Sequence, residues 1–261
     1  TNTYLGDYPM FLPGGKEQIA GEYQPGWMLL SYGKKVSVSS SLEGYPAENI
    51  VDEDARTAWV AQSNRDMEWA QVDLQRLSSI HAIQVNFDEY GANQKGAVSG
   101  VYQSYLIYAS VNGEDWSLVV DYGTKKTDTP HDYIEFEEPF KARYIKLQNK
   151  EYMVSENFSV RDLRIFGKGQ GSTPRAVNDF TVERDEADPC KARLCWEAVP
   201  DAQGYIVRYG IAGDKLYNNF QVMGENTLEI GSLNKGVAYY FTIDAYNENG
   251  ITRTSRIKVC R

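Results

Sequence analysis

Three hard oxygen donors fall within six residues of one another: Asp52, Asp54 and Thr57, in a stretch that Asn49 opens and Trp59 closes. Calcium takes about six to eight oxygens, mixing carboxylates with backbone carbonyls, and a tight loop of this composition supplies several at once. The same residues also make an acidic turn capped by its own Asp side chains, which needs no metal. Catalysis finds no comparable cluster. Glycoside hydrolysis needs two carboxyl groups held several ångströms apart across a cleft, and no motif selects such a pair from the 36 Asp and Glu residues. His81 sits in an alternating strand pattern and His131 in the turn-like Thr129-Pro130-His131-Asp132, with no Ser or Cys elbow and no His-rich spacing beside either. Both histidines read as non-catalytic.

The elements that carry these residues are strands. Nineteen Tyr, 22 Gly and long alternating segments favour strands and turns over helices, so the expected class is all-β. With 42% hydrophobic residues the 261-residue chain has enough apolar surface for two modest cores. Its 27 Lys and Arg against 36 Asp and Glu leave a net charge of −9, and no run of five bases interrupts that balance. Nucleic acid and anionic membrane, both held through clustered Lys and Arg, are poor partners for such a chain. The longest apolar stretch, around Trp27-Met28-Leu29-Leu30, is far short of the roughly 20 residues that span a bilayer. Thr1 in place of Met suggests a processed protein or an excised piece of a longer one. Cys190, Cys195 and Cys260 make an odd count, which leaves at least one thiol unpaired within the chain.

A Gly-, Ser- and Pro-containing stretch between Phe166 and Val177 divides the chain and reads as a linker at residues 169–175. Upstream, residues 1–31 carry aromatics and turn residues without a repeated period, and read as an extended lead-in. Residues 32–168 contain about eight strand candidates, among them Trp69 to Leu74, Ile80 to Phe87, Tyr133 to Phe136 and Ala142 to Gln148. Ile83, Val85 and Phe87 alternate with polar neighbours to give one buried face. Residues 176–261 alternate more cleanly, through Ala192-Leu194-Trp196, Tyr205-Val207-Tyr209 and Tyr239-Phe241-Ile243-Ala245. Both segments fit β-sandwiches.

Two resemblances sharpen this reading. Residues 176–261 resemble a fibronectin type III module: Trp196 stands at the core tryptophan position, and Leu233-Asn234-Lys235-Gly236-Val237-Ala238-Tyr239 has the spacing of the tyrosine corner, with Lys235 where Pro is usual. Residues 32–168 resemble the discoidin, or coagulation factor 5/8 type C, family, whose bacterial relatives include carbohydrate-binding modules of family thirty-two. Five patches in order carry this likeness: 49–59, 68–74, 110–116, 142–147 and 161–167. The fold implied is a galactose-binding-like jelly-roll β-sandwich. Together with Tyr4-Leu5-Gly6-Asp7-Tyr8-Pro9 and the domain order, the chain is similar to the C-terminal accessory region of bacterial glycoside hydrolases of family forty-three, with the lead-in coming from an absent catalytic domain.

The resemblance implies a structural Ca²⁺ held by Asn49, Asp52, Asp54 and Thr57 with Asp162 near the last strand, although Glu53 replaces the usual Gly of the loop. It places the sugar site in loops at one end of the sandwich. Sugar C–H faces stack on rings while hydroxyls need polar partners, which makes Tyr45, Arg65, Asp66, Tyr90, Tyr152, Asn157 and Phe158 the candidates. Trp59, Trp69 and Trp116 belong to the family's framework patches and are assigned to the core. The fibronectin-like topology puts Cys190 and Cys260 at the same end, implying a disulfide between them with Cys195 facing outward. The expected function is non-catalytic: holding a secreted, cell-surface or periplasmic bacterial glycoside hydrolase on plant or host polysaccharide. A purely structural module packed on the catalytic domain, and a cell-surface adhesion protein, are the alternatives.

Overall fold

The computed structural model describes residues 11–13, 25–92 and 100–261. The Tyr4 to Pro9 segment and residues 93–99 of the 89–102 loop lie outside the described residues. Among the described residues the regular elements are strands and one 3-10 helix, η1 (Ala47–Val51). The chain parts into two compact units, one up to Gln170 and one from Gly171 to Arg261.

In the first unit β1 (Phe11–Pro13), β2 (Pro25–Leu29), β5 (Trp69–Phe87), β6 (Gln103–Ser110), β7 (Ser117–Tyr122), β8 (His131–Tyr152) and β9 (Ser159–Lys168) pair in the order β1-β2-β9-β5-β8-β6-β7. β3 (Lys35–Val38) adds to β5 and β4 (Trp59–Val60) to β9, and every pairing is antiparallel. The segments 69–74 and 80–87, expected as separate strands, are one bent strand, as are 133–136 and 142–148. The ladder survives the corner because a bulge carries it: the register passes from Asp73↔Tyr144 to Ser78↔Ala142. At that corner the Asp73 carboxylate accepts the Gln75 N–H at 2.7 Å, and Gln75 takes φ 66°. Residues 69–73 thus pair with β3 and the end of β8, while 79–87 pair with β9 and the start of β8, which makes two layers. Ala70, Val72 and Leu74 from one layer and Ile83 and Val85 from the other enclose one core around Trp59.

Only Trp59 of the three framework tryptophans belongs to that core; Trp69 and Trp116 are half-buried on the outer surface. Trp69 shares its side of β5 with Gln71 and Asp73, since every second residue of a strand points the same way.

In the second unit β10 (Phe180–Arg184), β11 (Ala192–Trp196) and β14 (Thr227–Ile230) form one sheet in the order β10-β11-β14. β13 (Asn218–Met223), β12 (Gly204–Gly210) and β15 (Tyr239–Asn247) form the other, with β16 (Gly250–Thr252) and β17 (Lys258–Cys260) both on β15. The alternating residues Leu194, Trp196, Val207, Phe241 and Ile243 meet in a single core. Tyr239 folds back so that its hydroxyl accepts the Asn234 N–H at 3.2 Å, with Gly236 at φ 77° in the turn between them. The expected Cys190–Cys260 bridge is not formed: all three cysteines are free. Cys260 is buried in the core from β17, whereas half-buried Cys190 precedes β11 of the opposite sheet and lies outside that core.

Candidate functional site

η1 ends at Asp52 in the right-handed region, and the next residue, Glu53, turns left-handed at φ 61°. A side chain there costs about 1–2 kcal/mol relative to glycine. Glu53 does not point to solvent. It meets Arg164 of β9 in a buried ion pair at 3.0 Å, each side chain 3% exposed, and Nε of the same guanidinium reaches both carboxylate oxygens. Burial pushes the Glu53 carboxyl up to about 7, outweighing the opposing pull of Arg164. Arg164 also donates to Gln84 Oε1 at 3.1 Å and lies 4.8 Å over the Phe166 ring.

From Gln84 a polar chain continues along the outer side of β5. The Gln84 amide donates to Asn86 Oδ1 at 3.1 Å, Asn86 donates to Asp162 Oδ2 at 2.9 Å, and His131 Nδ1 lies 3.1 Å from Asn86 Oδ1. Asp162 is fully buried, and its Oδ1 has no hydrogen-bond partner. Burial holds its carboxyl above the usual range, with the nearby Asp52 pushing the same way.

The expected calcium donors divide on this geometry. Asp52 accepts the Asp54 N–H at 2.9 Å and the Thr57 hydroxyl at 2.8 Å, and its charge is felt at Asp162. Asp54 turns outward to Arg56 at 3.0 Å, and Asn49 donates to the Ala58 carbonyl at 2.8 Å. Among the described residues no three His, Cys, Asp or Glu side chains converge on one point. Sequence reasoning passed over Glu53 and Arg164 as partners, because 111 residues separate them and only the β9 fold-back brings them together.

The loop segments around residues 41–45, 60–67 and 152–158, which carry most of the sugar candidates, are tied to one another. Leu42 N donates to the Val60 carbonyl, Gln62 Nε2 to the Ser41 carbonyl, and Asn157 Nδ2 to the Ala61 carbonyl. Asn64 Nδ2 donates to the Ser155 carbonyl at 2.8 Å, and Lys150 pairs with Asp66 at 2.6 Å. Below them Glu68 accepts hydroxyls from Ser39, Ser40 and Ser63. Burial pushes the Glu68 carboxyl up, but the three hydroxyls outweigh it and hold the group below its ordinary range.

Tyr45 and Tyr90 meet edge to face at 4.9 Å and remain half-buried on these loops, with Arg65 and Asp66 exposed and Asn157 half-buried. Tyr152 and Phe158 are core residues, not platforms. Tyr152 packs against Phe87 and Phe158 while its hydroxyl bonds the Asp88 carbonyl and Ser159, and Phe158 meets Trp59 edge to face at 5.8 Å. Met67, at φ 82° and 62% exposed, and Met153 stand out from the same loops. His81 lies stacked on Trp27 at 5.0 Å, its pKa lowered first by burial and then by Lys168.

Residues 35–162, just under half of the chain, match the family model described as the F5/8 type C domain, and the first unit is accordingly an all-β, discoidin-like sandwich. A stretch of 110 residues is 33% identical to rat lactadherin, covering 40% of this chain and 25% of that protein. For mouse lactadherin the identity is 32%, covering 40% and 23%. The chain spans about a quarter of the length of these curated relatives. Among solved structures, chitosan-binding module 1 of a Paenibacillus sp. IK-5 chitosanase/glucanase aligns at TM-score 0.45 and 20% identity, covering 53% of this chain and 98% of that one. A family 32 CBM from C. perfringens in complex with galactose aligns at TM-score 0.43 and 18% identity, covering 53% and 97%.

Proposed function

We propose that the chain is a non-catalytic carbohydrate-binding accessory region that positions a secreted or periplasmic bacterial glycoside hydrolase on polysaccharide. The observation that carries it is the half-buried Tyr45–Tyr90 pair, set on interlocked loops beside exposed Arg65 and Asp66 in an F5/8 type C-type domain. An exposed ring takes a sugar's C–H face, and neighbouring charged and amide groups take its hydroxyls. Asn157 contributes as a strut, since its amide is spent on the Ala61 carbonyl.

Three finer readings belong to the same proposal. The second unit is a fibronectin type III module, supported by the Tyr239 hydroxyl capping Asn234 and by the two-sheet strand order. The parent enzyme is a family 43-like hydrolase acting on plant or host polysaccharide, a reading that rests on the 4–9 segment and the domain order. Calcium sits at the 49–57 loop. The buried Asp162 Oδ1 without a partner and the adjacent Asp52 carboxylate fit a cation, with Thr57 and loop carbonyls completing the shell. When bound it would neutralise these carboxylates and stiffen the loop.

The test is a glycan array followed by calorimetry on each hit, with and without Ca²⁺. Binding to a galactose-bearing or arabinoxylan-type glycan that Tyr90→Ala abolishes supports the reading. Silence across the array while Ca²⁺ still raises the melting temperature of the chain, but not that of Asp162→Asn, leaves the metal site and removes the sugar site. A second reading, a module that packs its loops on the catalytic domain, draws on exposed Met67 and Met153, and that silence would favour it.

A further inference from the structure

Apart from the loop end, the first unit carries a second aromatic surface. On the outer side of the layer made by β3, β5, β8, β6 and β7, cross-strand pairs set Gln71 beside Lys146 and Lys146 beside Tyr108, while Asp73 neighbours Tyr144. Trp69 lies one row further along β5, and Trp116 leans over from the turn before β7 to within 6.5 Å of Tyr144. All four rings are half-buried. Polar side chains separate them instead of aliphatic ones, a pattern that suits neither a lipid surface nor the apolar centre of a protein interface.

The charges on this face are unevenly matched. Arg143 is paired with Asp73 through two bonds, at 2.8 and 2.9 Å, and stacks on Tyr144. Lys146 has no carboxylate partner among the described residues. Its ammonium is held by rings instead, 4.0 Å from the Trp116 centroid and 5.4 Å from that of Tyr108. Partial burial lowers its pKa, and ring faces replace only part of the lost hydration. A partly desolvated cation without a counter-charge, in a chain of net charge −9, is a specific place for an anion.

We propose that this sheet face is a second glycan-binding surface, selective for polysaccharide bearing uronic-acid carboxylates, with sugar rings stacked along Trp116, Tyr108 and Trp69 and a carboxylate paired with Lys146. Adjacent strands lie about 4.8 Å apart and alternate residues about 6.7 Å apart along a strand, so Trp69 and Tyr108 stand far enough apart to engage different rings of one chain. The amide of Gln71 lies between them for the hydroxyls. The surface is separate in sequence and in sheet position from the Tyr45–Tyr90 loops, and neither site depends on the other.

The experiment uses the full chain with polygalacturonate, the same polymer fully methyl-esterified, alginate and glucuronoxylan, read by calorimetry and affinity electrophoresis. Binding to at least one acidic polymer is expected, at least tenfold weaker with Lys146→Gln or Trp116→Ala, as befits loss of a charge-assisted contact or a stacking ring. Lys146→Arg should retain it, Tyr90→Ala should leave it unchanged, and added salt should weaken it. Unchanged melting temperatures show that the variants fold. The proposal is overturned if all three acidic polymers fail to bind, if the esterified polymer binds as well as the acid, or if Lys146→Gln binds like the parent. Loss of acidic-polymer binding in Tyr90→Ala would assign that binding to the loop end instead.

Discussion

Replacing Arg164 by Leu should be among the most damaging single changes in the first unit. The substitution keeps an apolar stem against Phe166 but leaves Glu53 buried, its carboxylate without a counter-charge and its backbone still at φ 61°. Removing one partner of a buried pair typically costs about 3–5 kcal/mol. For a unit of this size that lowers the melting temperature by roughly 6–20 °C. Urea unfolding followed by tryptophan fluorescence measures it, because four of the five tryptophans lie before residue 170. The double variant Glu53→Gly with Arg164→Leu removes both the stranded charge and the left-handed strain of about 1–2 kcal/mol, and should recover most of the loss. A double-mutant cycle then isolates the pair's coupling. If Arg164→Leu costs less than about 1 kcal/mol, or if the double variant is no more stable than Arg164→Leu alone, the loop does not depend on this pair and the reasoning fails.

Glu68, held below its ordinary range in the folded state by the three serine hydroxyls, contributes stability above its unfolded pKa that is lost as pH falls through its lower folded value. Glu68→Gln should therefore destabilise the unit at pH 7 and remove that part of the acid dependence, as melting curves from pH 2 to 7 would record. Tyr152→Phe removes bonds to the Asp88 carbonyl and Ser159 from a core ring, so stability should drop by about 1 kcal/mol while glycan affinity stays the same; a selective loss of affinity would return Tyr152 to the binding site. Thiol titration of unreduced, denatured chain should count three free thiols. In the native state Cys260, buried and with its pKa pushed up by burial, should react last.

Most of the strand content was legible because period-two alternation survives in the sequence wherever one face of a strand is polar. Ile83-Val85-Phe87, Leu194-Trp196 and Tyr239-Phe241-Ile243 pack inward as their spacing says. The corner in β5 was not legible: the exposed Gln75-Arg76-Leu77 breaks the alternation and looks like a loop, and only the β8 ladder across it shows that pairing resumes at Ser78. The acidic loop at 49–57 announced its oxygen donors, but not that Asp54 would turn out to Arg56 or that Glu53 would turn in to Arg164.

Alternation groups residues by face without saying which face is buried, and residue type is a poor guide when the residue is aromatic. Trp69 sits in register with Gln71 and Asp73 and so faces outward, while Tyr152 and Phe158, beside a loop, fill the core. The all-β class and the division near residue 170 follow from local composition and spacing. Tertiary structure alone decided which aromatics stay exposed, which carboxylates are buried and which cation is left unpaired. Each depends on what a distant element places opposite, and the packing of β9 beneath the loop after η1 joins Glu53 to Arg164 with no trace in the sequence between them.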